Sequence, residues 1–261
     1  MTLAFRELFS EEFHRLDNGD PLLISLIGAG GKTSTLMWLA QAFYRQGRRV
    51  LFTTTTKMYR PAASTYHHLW IGQPSSASNT PAITAWFSHY QPESNKVEGL
   101  NCQQIDEIKQ QGEFDVILVE ADGSRGLPLK APARHEPCIP SNSDCVIALT
   151  GGQVVNRPAN PQQIHRWAIF SELTGINAGD CLNQRVFSWL ISHPQGMFKG
   201  TPPDARRIWL VNQFSHSDNQ PDPAWHQVLR QDPLLSAIWL GSVQETPPIR
   251  HCLRRVAQQS F

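Results

Sequence analysis

The chain has 261 residues, 40% of them hydrophobic, with a formal net charge of +1. That size and apolar share suffice for one large α/β core, and the near-zero charge excludes the electrostatic field of a nucleic-acid binder. No apolar run approaches the ~20 residues that cross a bilayer, and Arg6, Glu7, Glu11, Glu12 and Arg15 break up the N-terminal apolar positions, so neither a signal peptide nor a membrane partner is expected and the compartment is read as cytoplasmic.

In chain order, the first strong element is the apolar strand Leu22 to Ile27, running into Gly28-Ala29-Gly30-Gly31-Lys32-Thr33-Ser34. A helix follows, with Leu36, Leu39, Ala40 and Phe43 at helical spacing and Gly47 placed to end it. Strand, glycine turn, lysine, hydroxyls and helix together form a phosphate-binding loop. Glycines let backbone N–H groups converge on phosphate oxygens, Lys32 adds a point charge, and the Thr33 hydroxyl is placed to hold Mg²⁺. Residues 28–34 are therefore the candidate nucleotide-binding set. The pattern is a short one, because Leu26 stands where the longer phosphate-loop signature has its first glycine.

The next strand, Arg49 to Thr53, exits into Thr53-Thr54-Thr55-Thr56-Lys57. Threonines form strands readily, so the run reads either as a plain strand end or as hydroxyls near the phosphates. On the second reading Thr55, Thr56 and Lys57 meet an anionic second substrate. Residues 60–112 contain a Pro/Ser/Asn-rich stretch from Gly72 to Pro81 and a short helix over Ile83–His89; they read as a mobile insertion.

A third strand, Asp115 to Glu120, exits into Glu120-Ala121-Asp122-Gly123-Ser124-Arg125. Ligands of open parallel sheets sit beyond the carboxyl ends of the strands. Glu120 is thus a candidate metal ligand and, with Lys32 and Asp122, a candidate catalytic group; the alternative is a structural carboxylate paired inside the fold. Arg125 stands where a GTPase switch starting at Asp122 needs glycine. Leu127 to Pro140 then concentrates prolines with charged groups, read either as an inert crossover or as a recognition loop in which Arg125, Lys130 and His135 bind an anionic substrate.

Strands follow at Cys145–Leu149, Arg207–Asn212 and Ala237–Leu240, with helical patterns at Ile164, Trp167 and Ala168 and at Leu182, Val186, Trp189 and Leu190. Short, nearly unalternating strands between helices predict a three-layer α/β phosphate-loop NTPase fold with a mainly parallel sheet, as one nucleotide-binding domain over 1–261. Asn212 ends its strand and is a candidate base contact. Gln213 and Ser215 replace the lysine and aspartate of guanine readers, so ATP with Mg²⁺ is the expected cofactor pair. The five cysteines include no Cys-x-x-Cys pair and are expected to be reduced thiols, with Cys145 packed in the core. The ten histidines show no zinc-ligand spacing.

The compact loop resembles that of Mur-type ATP-dependent amide ligases. Over most of its length the chain resembles the YqeC family, accessory proteins of selenium-dependent molybdenum hydroxylases. The likeness rests on Ile27 to Ser34, Thr53 to Lys57, Val119 to Ser124, Lys130 to Pro140, His193-Pro194-Gln195-Gly196, Lys199-Gly200 and Asn212, with Gln213 and Ser215 as departures. The resemblance implies a phosphate-loop protein linked to selenium and molybdenum cofactor maturation, its partners a small anionic substrate or the molybdenum cofactor, and a molybdenum hydroxylase. Three activities fit: a maturation ATPase, a Mur-like ligase, and a nucleotide-gated carrier. The chain has no obvious separate amine-binding domain for the ligase and no Cys/His cluster for the carrier.

Overall fold

The structure is a computed structural model and describes residues 4–75, 77–214 and 222–255. Fourteen strands and seven helices are found among the described residues. The strands are β1 (Leu22–Gly28), β2 (Val50–Thr54), β3 (Lys57–Tyr59), β4 (His68–Ile71), β5 (Ile83–Phe87), β6 (His89–Gln91), β7 (Lys96–Glu98), β8 (Val116–Glu120), β9 (Leu129–Lys130), β10 (Cys145–Gly151), β11 (Ile164–His165), β12 (Arg206–Asn212), β13 (Leu235–Gly241) and β14 (Ile249–Arg254). The helices are α1 (Phe5–Leu8), α2 (Ser10–Asp17), α3 (Lys32–Arg45), α4 (Cys102–Gln111), α5 (Trp167–Thr174), α6 (Gln184–Ser192) and α7 (Ala224–Gln231).

Nine strands form one sheet in the order β14-β13-β12-β10-β1-β8-β2-β5-β4. All neighbours pair parallel except β13 and β14. Alternate residues of each strand enter different cores, which is what makes the strands read as continuous apolar runs. Leu22, Ile24 and Leu26 face the core that holds α1, α2 and α3, whereas Leu23 and Ile27 face the core of α4 to α7. The three layers expected from the alternation of strands and helices are therefore present. On the first face, Phe5 and Phe9 pack on Phe43 of α3 with ring centroids 4.9 and 5.4 Å away, and Phe9 also meets Trp239. Cys145 is fully buried in that core, and all five cysteines are free thiols.

Two expectations need correction. Ile83–His89 is not helical: Ile83–Phe87 is a strand between β2 and β4. Ile83, Ala85 and Phe87 point into one core, a period of two, and pairing with the sheet outweighs local helix preference. Nor do residues 60–112 stand apart from the sheet. They supply two of its strands, β4 and β5, together with α4 and, with β3, the small antiparallel sheet β3-β7-β6.

Strand β1 lies between β8 and β10 at the centre of the sheet. The chain leaves β1 through α3 for β2, two places to one side, and later returns to β10 on the other side, so β1 ends at a topological switch point. That is where open α/β sheets leave a crevice.

Candidate functional site

The turn from β1 into α3 is built on three glycines in left-handed backbone conformations, Gly28 (φ 89°), Gly30 (φ 88°) and Gly31 (φ 112°). The neighbours also leave no room for a side chain. A Cβ on Gly30 would sit 2.2 Å from the Gly151 nitrogen, and one on Gly31 would sit 2.4 Å from Asn212 Nδ2. Three of the loop's own N–H groups are satisfied inside the protein: Gly28 donates to Asp122 Oδ2 (3.0 Å), Ala29 to the Leu149 carbonyl (3.0 Å) and Gly30 to the Leu127 carbonyl (3.0 Å). These residues set the turn's shape. The donors left for an anion are those of the first turn of α3, which have no carbonyl four residues back.

Asn212, at the end of β12, braces the turn from beneath. Its Nδ2 donates to the Gly30 carbonyl (2.8 Å) and its Oδ1 accepts from the Val243 N–H (3.1 Å), and the residue is buried. Both ends of the amide are engaged with backbone, so the structure places Asn212 under the loop. Asn212→Ala leaves a buried carbonyl and a buried N–H without partners. It should lower unfolding stability by about 2–4 kcal/mol, measured by urea titration; a loss below about 0.5 kcal/mol would contradict the bracing role.

Glu120 ends β8 beside Leu26 of β1, and its Oε2 accepts from the Thr33 hydroxyl at 2.8 Å. Burial pushes the Glu120 carboxyl above its ordinary range, against the pull of Lys32 and the Thr33 hydroxyl. A hydroxyl and a carboxylate held together at the mouth of a glycine turn form an all-oxygen donor pair of the kind hard divalent cations take. The residues present therefore fit Mg²⁺.

Asp122 lies two residues on, almost fully buried. Its Oδ1 is 3.1 Å from Lys32 Nζ, and its Oδ2 is 3.0 Å from Lys130 Nζ and accepts from the Gly28 N–H. Lys32 Nζ also donates to the Gly28 carbonyl at 2.6 Å. The loop lysine is thus folded back over its own turn. Asp122 Oδ1, although beside a cation, is a buried oxygen that accepts no hydrogen bond.

Lys130 continues the chain of charges. Its ammonium reaches Glu136 Oε2 (2.7 Å) and the Gly123 carbonyl (2.6 Å), so its three donors meet three protein oxygens. Glu136 in turn takes a two-pronged contact from Arg166, at 2.6 and 2.9 Å. An ion-pair row Lys32–Asp122–Lys130–Glu136–Arg166 therefore leads from the β1–α3 turn to the start of α5. Lys130, read from the sequence as a substrate contact, sits inside this row, 2% exposed at its side chain. No local signal in the sequence marks Arg166, because its partner Glu136 lies 30 residues away.

Lys130 and Arg166 hold the Glu136 carboxyl down at about 2 against the burial that raises it, whereas burial and the same cations push His165 down to about 4. Both groups bind protons more readily once unfolded, so both contribute stability that is lost on acidification. His165 acts as pH falls from 6.5 towards 4, Glu136 from 4.5 towards 2. Glu120 acts in the opposite sense, its raised folded pKa favouring the folded state as pH falls. Glu136→Gln should flatten the lower limb of a stability–pH curve by about 1–3 kcal/mol, and an unchanged curve below pH 4.5 would remove Glu136 from the account.

The threonine run serves mainly the scaffold. Thr54 donates to the Glu120 carbonyl (2.6 Å), Thr55 to the Cys138 carbonyl (2.8 Å), and Thr56 lies 3.1 Å from the Thr54 hydroxyl. Lys57 pairs with Glu98 at 2.6 Å across β3 and β7. Thr55, Thr56, Lys57, Glu98 and Asn101 nonetheless share a shallow cavity of about 310 Å³. Arg125 (φ 52°) and His135 are exposed on the loops after β8 and β9, and Ser34 is half-buried in the first turn of α3. Ser215 lies outside the described residues. No group of three or more His, Cys, Asp or Glu side chains gathers as a metal cluster among the described residues.

Fold and turn define a three-layer α/β protein with a glycine loop between the central strand of a mainly parallel sheet and its helix. Residues 24–168 match the family described as YqeC protein. A relative from Escherichia coli (strain K12), described as "Uncharacterized protein YqeC", is 44% identical over 234 residues, covering 88% of this chain and 90% of the relative. The chain belongs to the YqeC family.

Proposed function

We propose that the chain binds Mg·ATP at the β1–α3 turn and hydrolyses it, or transfers its γ-phosphoryl group, as a cytoplasmic accessory protein in the maturation of selenium-dependent molybdenum hydroxylases or their cofactor. The observation that carries this reading is the Thr33–Glu120 contact beside Lys32, at the switch point of the sheet. Mg²⁺, when bound, supplies positive charge at the phosphates. Thr33 and Glu120 are the residues to hold it. Lys32 releases Asp122 to meet phosphate oxygens, and Asp122, kept in place by Lys130 and the Gly28 N–H, is then positioned to orient an attacking hydroxyl or water. Phosphoryl transfer asks little covalent chemistry of a protein, so positioning and charge suffice.

The preference for ATP rests on the β12 exit. Guanine readers present a carboxylate to two donors of the base; in this sequence the corresponding position, 215, is serine, and Asn212 is engaged with backbone. Competition of GTP against a fluorescent ATP analogue tests the assignment. ATP should win, and a GTP preference of tenfold, about 1.4 kcal/mol, would overturn the base assignment. No helix among the described residues is long and apolar enough to cross a membrane.

A further inference from the structure

A groove of about 600 Å³ opens between α5, α6 and the loop after β9, away from the groups assigned to the nucleotide. Its volume is that of a small-molecule site. One wall is aromatic: Trp189 is 42% exposed, and its indole stacks on His193 with centroids 4.2 Å apart and planes at 19°. The stack is held in place, because His193 Nδ1 accepts from the Gln195 N–H at 3.0 Å. Ile169 and Leu173 of α5 provide the apolar side.

Three of the remaining lining residues are charged, two of them positively. Arg134 is exposed at the rim, and Lys199 Nζ donates to the Ala133 and Arg134 carbonyls at 2.7 and 2.9 Å. An ammonium has three donors, and among the described residues the third has no acceptor. Glu172 is the single carboxylate of the lining. An indole left 42% exposed in one groove with two cations offers stacking and charge together, and both are satisfied by one ligand type.

We propose that this groove is a binding site for a planar aromatic anion, stacked on Trp189 with its negative group between Arg134 and Lys199. The site goes beyond the phosphate turn and does not depend on nucleotide binding there. The ion-pair row explains how the two are fixed relative to each other: Lys130 and Glu136 bracket the loop that carries Pro132 and Arg134, and Arg166 precedes the helix that carries Ile169 and Leu173.

The test is a fluorescence titration of the full chain with 8-anilinonaphthalene-1-sulfonate and its uncharged counterpart N-phenyl-1-naphthylamine. The sulfonate should bind at least tenfold tighter than the neutral probe. Trp189→Ala should weaken it tenfold or more and Arg134→Ala at least threefold, whereas Glu172→Gln should tighten it. Arg134 and Glu172 are exposed, so those two variants keep the test decisive should Trp189→Ala lower the melting temperature. Equal affinities for both probes, or unchanged sulfonate affinity in Arg134→Ala and Glu172→Gln, would overturn the proposal. Mg·ATP affinity measured in the same variants should match the parent, so failure of ATP binding in the parent would count against the phosphate turn and leave the groove to be judged by its own titration.

Discussion

Lys32→Ala should raise the Kd for Mg·ATP by about 30- to 150-fold, the equivalent of about 2–3 kcal/mol for a charge-assisted contact to phosphate. Lys32 sits at the first position of α3 with its ammonium 2.6 Å from the Gly28 carbonyl and 3.1 Å from Asp122, its side chain only 2% exposed. No other cation among the described residues contacts that carbonyl. The same change removes one of Asp122's partners, but Lys130 and the Gly28 N–H remain. Stability should therefore fall by about 1–3 kcal/mol, without loss of the fold. Isothermal titration beside circular dichroism separates the two effects: unchanged ATP affinity in a folded variant would contradict the assignment of the turn.

Glu120→Gln should cost about 10²- to 10³-fold in phosphate release while ATP binding changes far less, on the scale of losing one charge-stabilising group at a reacting centre. Glutamine keeps the volume and still accepts from the Thr33 hydroxyl, so the variant isolates the charge. The ligand-free protein should melt at the same temperature or higher, because burial already makes the ionised carboxylate unfavourable. A purely structural Glu120 predicts the reverse, a lower melting temperature with normal hydrolysis. Melting curves with and without Mg·ATP, together with phosphate release, distinguish the two.

The elements that could be read from the sequence are those whose signals are local. Leu22 to Gly31 needs only an apolar run and glycines to be a strand and a turn, and the structure adds the reason for the glycines: Gly151 and Asn212 occupy the space where a Cβ would stand. The strands at β8, β10, β12 and β13 are continuous apolar runs because each sends alternate residues into two cores. What escaped was non-local. β4 and β5 lie next to polar, proline-containing sequence and are strands because β5 pairs with the edge that β2 offers and β4 pairs in turn with β5. Lys130 and Glu136 looked like charges on a surface loop, yet they are buried in a row closed by Arg166 from 30 residues away. Asn212 stands where a base contact is expected, but the turn it braces comes 182 residues earlier in the chain.

The central claim is that the β1–α3 turn recognises a nucleoside through its phosphates, and calorimetric titration of the parent chain with ATP and with adenosine, each with Mg²⁺, tests it most directly. ATP should bind with one site per chain and adenosine at least a hundredfold more weakly, and Lys32→Ala should erase most of that difference. Equal affinity for adenosine and ATP, or no heat from ATP at millimolar concentration, would contradict the account.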